Sequence, residues 1–114
     1  MPNARLRQPR VHSTLASDPT LSAMLQNFVE EMPSRVAALR RIFRSGDRQA
    51  LERAVHQLKG AAGSYGFEPL SFQAYTVETL LKCGAPPEEI TPAVSELMGV
   101  CRCLSAEPEP IGSA

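Results

Sequence analysis

His56 is the residue of this chain with the clearest capacity for chemistry, because a neutral imidazole carries a free lone pair. Lys59 follows it by three residues and Gly60 by four, and on a helix both spacings bring residues side by side. The lysine ammonium is a point charge that would neutralise an anion beside the imidazole. Gly60, and Gly63 one turn further on, leave room for a second molecule to approach. An exposed nucleophile, a cation and an open approach suit transfer of a phosphoryl group between proteins.

These residues are predicted to lie on one helix of about residues 48–65, which Asp47 caps and Gly66 ends. At about 100° per residue, His56 points roughly 160° away from the centre of the apolar face. Two glycines inside a helix cost about 1 kcal/mol each relative to alanine, and a solvent-facing position gives no packing gain in return. The core side of this helix is predicted to consist of Leu51, Ala54, Val55, Leu58, Ala61, Ala62 and Tyr65.

Other interpretations of the same residues stay open on geometry alone. A lone surface histidine is most often a solvated side chain, and the glycines could serve close packing between helices. A histidine-centred hydrolase has little support, because only Glu52, at i−4, adds a reactive group near His56. The simpler roles for Glu52 are a hydrogen bond to the imidazole or balance of the Lys59 charge.

Proline and glycine divide the remaining sequence into helices. Asp18 and Pro19 begin the first helix, and Pro33 either begins a second helix or bends the first. A fourth helix opens at Pro69. The last helix either begins at Pro92 with Thr91 as its cap, or begins near Pro87 and is kinked at Pro92.

The apolar residues of these segments recur at helical spacing, and no stretch alternates between apolar and polar residues. We therefore expect no β-strands. Helices joined by such short loops pack as antiparallel neighbours. The predicted fold is all-α, an up-and-down antiparallel four-helix bundle with a short additional helix at its N-terminal end.

The bundle is expected to span residues 18–104. Residues 1–17 show no sustained period and are predicted to form a flexible N-terminal arm. Residues 105–114 are predicted to form a disordered tail. Arg5, Arg7 and Arg10 form a small basic cluster in the arm, which we interpret as a solvated tail rather than a site for an anionic partner.

Composition narrows the classes of function. The 114 residues fit one domain, and the net charge of zero gives no field that favours nucleic acid. No apolar run approaches the roughly 18 residues of a membrane helix, and no signal-peptide core is present, so a cytoplasmic protein is expected. The three cysteines are interpreted as structural, because His12 and His56 are not placed to complete a metal site. No long heptad pattern demands a dimer, and a monomer is expected.

Residues 56–67, HQLKGAAGSYGF, resemble the signature of the histidine-containing phosphotransfer (HPt) family. The shared pattern is His-x-Leu-Lys-Gly, then small residues, then a glycine that closes the helix. The resemblance covers about residues 18–104. It includes Met32-Pro33 before one helix and Gly46-Asp47 before the signature helix. Gly63 and Pro92 depart from the usual pattern.

The resemblance implies that His56 accepts the phosphoryl group through Nε2, that Lys59 neutralises phosphoryl oxygens and that Gly60 admits the partner. Gly63 would widen the same opening, by geometry more than by family precedent. The implied role is a phosphocarrier in a two-component phosphorelay and not an autonomous kinase, since the chain lacks a glycine-rich nucleotide loop.

Response-regulator receiver domains and a hybrid sensor histidine kinase are the implied partners. The chain itself would need no cofactor, since Mg²⁺ is expected on the receiver. The alternative is a non-phosphorylated helical adaptor that docks receivers or kinases. The presence of both His56 and Lys59 disfavours it.

Overall fold

The computed structural model describes residues 9–110 and is built from five α-helices. They are α1 (Ser22–Glu30), α2 (Met32–Ser45), α3 (Arg48–Ser64), α4 (Glu68–Lys82) and α5 (Pro87–Cys101), and a 3-10 turn (Pro19–Leu21) precedes α1. The four long helices α2 to α5 form the bundle, with α1 as the short helix at its N-terminal end. The predicted fold class is confirmed.

The ends of the helices lie where capping chemistry requires them. The Asp47 side chain accepts a hydrogen bond from the backbone N–H of Ala50 at 3.0 Å and so begins α3. Pro33 lies in the first turn of α2 and therefore begins a second helix rather than bending the first. The last helix begins at Pro87 and continues through Pro92, so the alternative start at Pro92 is wrong.

The core lies between the apolar faces of the helices, and α3 packs most extensively against α4. Phe28 of α1 stacks on Tyr65, with ring centroids 4.6 Å apart, and on Phe67 at 5.6 Å. The short helix therefore covers the C-terminal end of α3. The predicted core side of α3 is confirmed at its four most buried positions, which are Leu51, Val55, Leu58 and Ala62.

Two short strands contradict the expectation that the chain has none. Strand β1 (Val11–His12) pairs in parallel with β2 (Leu104–Ser105), and His12 Nδ1 lies 2.8 Å from the carbonyl oxygen of Glu107. Strands of two residues are too short to leave an alternating pattern in the sequence. Residues 9–17 of the predicted arm and the start of the predicted tail are thus held against the bundle, whereas Arg5 and Arg7 lie outside the described residues.

The N-terminal segment is fastened to the bundle at Gly66. Gly66 has a φ of 78°, which side-chain-bearing residues rarely adopt. Its carbonyl oxygen accepts a hydrogen bond from the backbone N–H of Thr14 at 2.9 Å. A Cβ at Gly66 would lie only 2.7 Å from the hydroxyl oxygens of Ser13 and Thr14. The glycine thus both ends α3 and lets residues 13–15 pack against that end.

The described residues add two observations on the classes of function. No helix among residues 9–110 combines the length and apolar character that a bilayer span requires. That part of the chain also holds no group of three histidine, cysteine or acidic side chains placed to bind a metal ion. Cys101 is buried while Cys83 is exposed.

Candidate functional site

His56 lies on the outer surface of α3, at the seam with α4. Its side chain is 63% exposed, whereas Val55 just before it and Leu58 two residues after it are buried. The predicted exposure of the imidazole is confirmed. A ring in this position can meet another protein without any rearrangement of the core.

Glu78 of α4 holds the imidazole from across this seam. Its Oε2 lies 2.7 Å from His56 Nδ1, and only 5% of its side chain is exposed. The pKa of Glu78 is lowered to about 2, chiefly by the hydrogen bond from Lys59. Burial acts in the opposite direction, while the hydrogen bond with His56 and the charges of Lys59 and Lys82 contribute to the lowering. Glu78 is therefore ionised at neutral pH.

The ionised state of Glu78 decides which nitrogen of His56 carries the proton. A carboxylate can only accept hydrogen bonds, so Nδ1 must be the donor. In a neutral imidazole the lone pair then resides on Nε2. No residue of the described range 9–110 forms a hydrogen bond with Nε2. The contact thus leaves Nε2 as a free nucleophile in the exposed part of the ring.

Two lysines surround the same carboxylate. Lys59 Nζ lies 2.7 Å from Glu78 Oε1, and Lys82 Nζ lies 3.4 Å from Glu78 Oε2. Lys59 also lies over the ring of Tyr75, with Nζ 5.7 Å from the centroid. His56 is therefore flanked by one buried negative charge and two positive charges that can turn toward an incoming anion.

The two glycines of the motif differ in their surroundings. A Cβ at Gly60 would meet no atom of the described residues within 4 Å, so packing does not require a glycine there. A Cβ at Gly63 would lie 3.5 Å from Ser71 Oγ, an ordinary contact. Ser71 donates a hydrogen bond to the Lys59 carbonyl oxygen at 3.0 Å. Gly60 thus borders open surface, while Gly63 borders the seam between α3 and α4.

The surface around His56 has an aromatic part and a polar part. Tyr75, whose ring lies beside Lys59, is 54% exposed, and Phe72, one turn before it on α4, is 67% exposed. His56 also lines an open polar groove of about 490 Å³. Its lining includes Gln49, Glu52, Arg53, His56, Gln57, Glu78 and Lys82.

Glu78 and Lys82 are site residues that the sequence analysis missed. The available signal was a carboxylate within the predicted helix that opens at Pro69, next to the apolar Val77 and four residues before Lys82. The sequence suggested that Glu52 bonds the imidazole or balances the Lys59 charge. This is wrong, because Glu78 is the residue that contacts both His56 and Lys59. A wheel of α3 alone cannot find a residue that the neighbouring helix supplies.

Comparison with known proteins gives one match. A family model described as Hpt domain matches residues 23–106, well over half of the 114 residues. No curated protein and no solved structure matches the chain. The matched range contains α3 and α4 and therefore all the side chains around His56.

Proposed function

The chain belongs to the Hpt domain family, and we propose that it carries a phosphoryl group on His56 Nε2 between the aspartates of receiver domains. Members of the family are phosphocarriers of phosphorelays rather than kinases, and they interact with receiver and kinase domains. The observation that carries the proposal for this chain is the contact of 2.7 Å between His56 Nδ1 and Glu78. It leaves the lone pair of the exposed ring on Nε2.

The proposed transfer is an in-line exchange of bonds at phosphorus. The Nε2 lone pair of His56 forms the N–P bond as the bond between phosphorus and the receiver's aspartyl oxygen breaks. The aspartyl carboxylate leaves with that electron pair. No proton need be removed from Nε2, so no general base is required. The receiver supplies Mg²⁺, which neutralises phosphoryl oxygens, and the present chain needs no cofactor of its own.

Glu78 is proposed to position His56 and to balance its charge. When Nε2 bonds to phosphorus while Nδ1 keeps its proton, the imidazole ring acquires a positive charge. The Glu78 carboxylate, 2.7 Å from Nδ1, stabilises that charge. When the phosphoryl group leaves, the ring returns to its neutral Nδ1–H form. Glu78 can therefore assist transfer both onto His56 and away from it.

The two lysines are proposed to receive the phosphoryl oxygens. Lys59 and Lys82 hold positive charge beside the imidazole without occupying Nε2. Charge neutralisation and positioning supply most of the catalysis in phosphoryl transfer, because the transition state is loose. Lys82 therefore joins Lys59 in the proposed site.

Phe72, Tyr75 and the open surface at Gly60 are proposed to form the docking face for the receiver. Exposed aromatic side chains are common anchors of protein interfaces, and the absence of a side chain at Gly60 lets the partner approach the helix. Gly63 has a smaller part in this opening, because it borders Ser71. A hybrid sensor histidine kinase is the proposed source of the phosphoryl group. We also propose that the chain is a monomer and that it is located in the cytoplasm.

The direct test is labelling by a phosphorylated receiver domain. Incubation of the purified chain with a receiver that carries ³²P-phosphoaspartate should move label onto the chain. The label should be lost in acid and kept in alkali, as expected of a phosphoramidate. If the chain binds phosphorylated cognate receivers but never takes up label, the non-phosphorylated adaptor is the correct function.

The variant Gly60→Leu should slow phosphotransfer by about 10- to 100-fold, because a small displacement of reacting groups has that effect on rate. Its thermal stability should not fall, since leucine favours a helix more than glycine does by up to about 1 kcal/mol. The measurements are single-turnover transfer from a phosphorylated receiver and thermal unfolding followed by circular dichroism.

Gly99→Leu is the matched control for this variant. A Cβ at Gly99, in α5, also meets no described atom within 4 Å, but Gly99 does not border the His56 site. It should transfer at the wild-type rate. Equal slowing in both variants, or unfolding of Gly60→Leu alone, would exclude the proposed role of Gly60 in partner access.

A further inference from the structure

A second groove lies on the bundle away from the His56 site. It measures about 440 Å³ and is lined by residues of α1, α2, the end of α5, β2 and the segment before β1. Neither α3 nor α4 contributes to it. The lining consists of Arg10, Val29, Met32, Pro33, Val36, Ala37, Arg40, Cys101, Arg102 and Leu104.

The floor of this groove is apolar. Met32, Val36 and Leu104 are buried side chains of the core, and Pro33 and Ala37 are exposed beside them on successive turns of α2. Cys101 behaves as part of the same apolar surface, because burial raises the pKa of its thiol to about 11. The apolar surface that a ligand can contact comes from Pro33, Ala37 and the half-buried Val29, and it favours a ligand with apolar groups.

Three arginines from separate parts of the chain converge on the groove. Arg10 precedes β1, Arg40 lies on α2 and Arg102 follows α5. None of the three forms an ion pair with a carboxylate of residues 9–110, in contrast to Arg35, which pairs with Glu31 at 3.2 Å. Helix α2 carries four arginines and no acidic residue, although the whole chain has a net charge of zero. The lining of the groove thus holds three positive charges and no carboxylate.

The terminal segments of the chain itself are poor candidates to fill the groove. The segment before Arg10 brings Arg5 and Arg7 and no acidic residue, so it repeats the charge of the groove. The segment after β2 runs parallel to β1, and its Glu107 carbonyl lies against His12. The backbone N–H of Val11 donates to the Cys103 carbonyl oxygen. From Cys103 onward this segment therefore runs away from Arg10.

The apolar floor and the three arginines together determine which kind of ligand the groove can bind. A phosphodiester backbone would pair with the arginines but gain nothing from an apolar floor. A membrane surface is flat, whereas these apolar residues line a concavity. An acidic protein segment with apolar side chains on one face satisfies both features, because its carboxylates meet the guanidinium groups while its apolar side chains enter the groove.

We infer that the groove between α1, α2 and β2 is a second docking surface, which binds an acidic amphipathic segment of another protein. Because it shares no residue with the His56 face, this segment can stay bound while a receiver engages the histidine. The inference does not depend on phosphotransfer, and a chain that fails every labelling assay could still bind through this groove.

The test uses the ¹⁵N-labelled full chain and a synthetic 14-residue peptide of leucine and glutamate, with leucine at helical spacing and blocked ends. Titration followed by NMR should shift amide signals of α2, β2 and the end of α5, and leave those around His56 unchanged. Arg40→Glu and Arg102→Glu should each weaken binding at least about tenfold, as charge reversal in an interface does. Arg41→Glu is the matched control, because Arg41 is exposed on the same helix outside the groove, and it should bind nearly as wild type does.

Two further peptides and one vesicle separate the possible results. Replacing leucine by serine, or glutamate by lysine, should abolish binding in each case. Equal binding of the serine peptide would mean charge attraction alone, and equal binding of the lysine peptide would mean apolar contact alone; either result overturns the inference. So would an absence of shifts with the original peptide, or binding to phosphatidylglycerol vesicles that Arg40→Glu removes while the peptide does not bind.

Discussion

The variant His56→Gln should accept no label from a phosphorylated receiver domain, at any time or concentration at which the wild type is fully labelled. Glutamine is close in size and polar, but its amide nitrogen has no lone pair available for attack on phosphorus. The carboxylate beside His56 cannot take its place as nucleophile, because Glu78 is buried and paired with both His56 and Lys59. The measurement is transfer of ³²P followed by gel autoradiography, and the expected effect is complete loss.

His12→Gln is the matched control, because His12 is the other histidine of the chain. Its Nδ1 is engaged by the Glu107 carbonyl, at the strand pair, and its replacement should leave transfer unchanged. Labelling of the His56→Gln variant would refute the site. Binding of His56→Gln to the receiver should persist, since the proposed docking face of Phe72, Tyr75 and Gly60 is unchanged.

The sequence contained enough information to place His56 on the surface of a capped helix. The Asp47 cap, the glycine at position 66 and the apolar spacing between them are local features, and local features can be read along one helix. The same holds for Lys59 and Gly60, which neighbour His56 on that helix. The fold class followed for a similar reason, because each long helix carries its own apolar face.

What the sequence could not supply depends on contacts between distant segments. Glu78 reaches His56 only because α4 packs beside α3, and nothing in the spacing of α3 predicts which residue of another helix faces the imidazole. The β1–β2 pair joins residues more than ninety positions apart, and its two-residue strands have no periodicity. The arginines of the second groove likewise come from three separate parts of the chain.

Replacement of Glu78 by alanine should lower the rate of phosphotransfer by about 10- to 100-fold, the range found when the group that orients a metal-bound imidazole is removed. Without the carboxylate, Nδ1 loses its acceptor and either ring nitrogen can carry the proton. The ring charge that develops on phosphorylation also loses its partner. Glu78→Gln should have a smaller effect, because its amide oxygen can still accept the Nδ1–H bond.

The role of Glu78 as a positioning residue can be separated from a purely structural one by NMR. Long-range ¹⁵N–¹H spectra of the imidazole report which nitrogen carries the proton. The wild type and Glu78→Gln should show the Nδ1–H form of His56 at neutral pH, and Glu78→Ala should show a mixture of both forms. Slow transfer by Glu78→Ala with an unchanged Nδ1–H signal would contradict the positioning role.

The same residue should make stability depend on pH in a defined window. The pKa of Glu78 falls from an ordinary 4.5 to about 2 in the folded chain, so the folded state favours the ionised carboxylate. Its contribution to stability is complete above about pH 4.5 and is lost as the pH falls through about 2. The difference in free energy of unfolding between wild type and Glu78→Gln, measured with urea, should therefore be constant from neutral pH down to about 4.5 and shrink below it. A difference that stays constant down to pH 2 would mean that the folded chain does not favour the ionised Glu78, and that its pairs with Lys59 and His56 add nothing to stability.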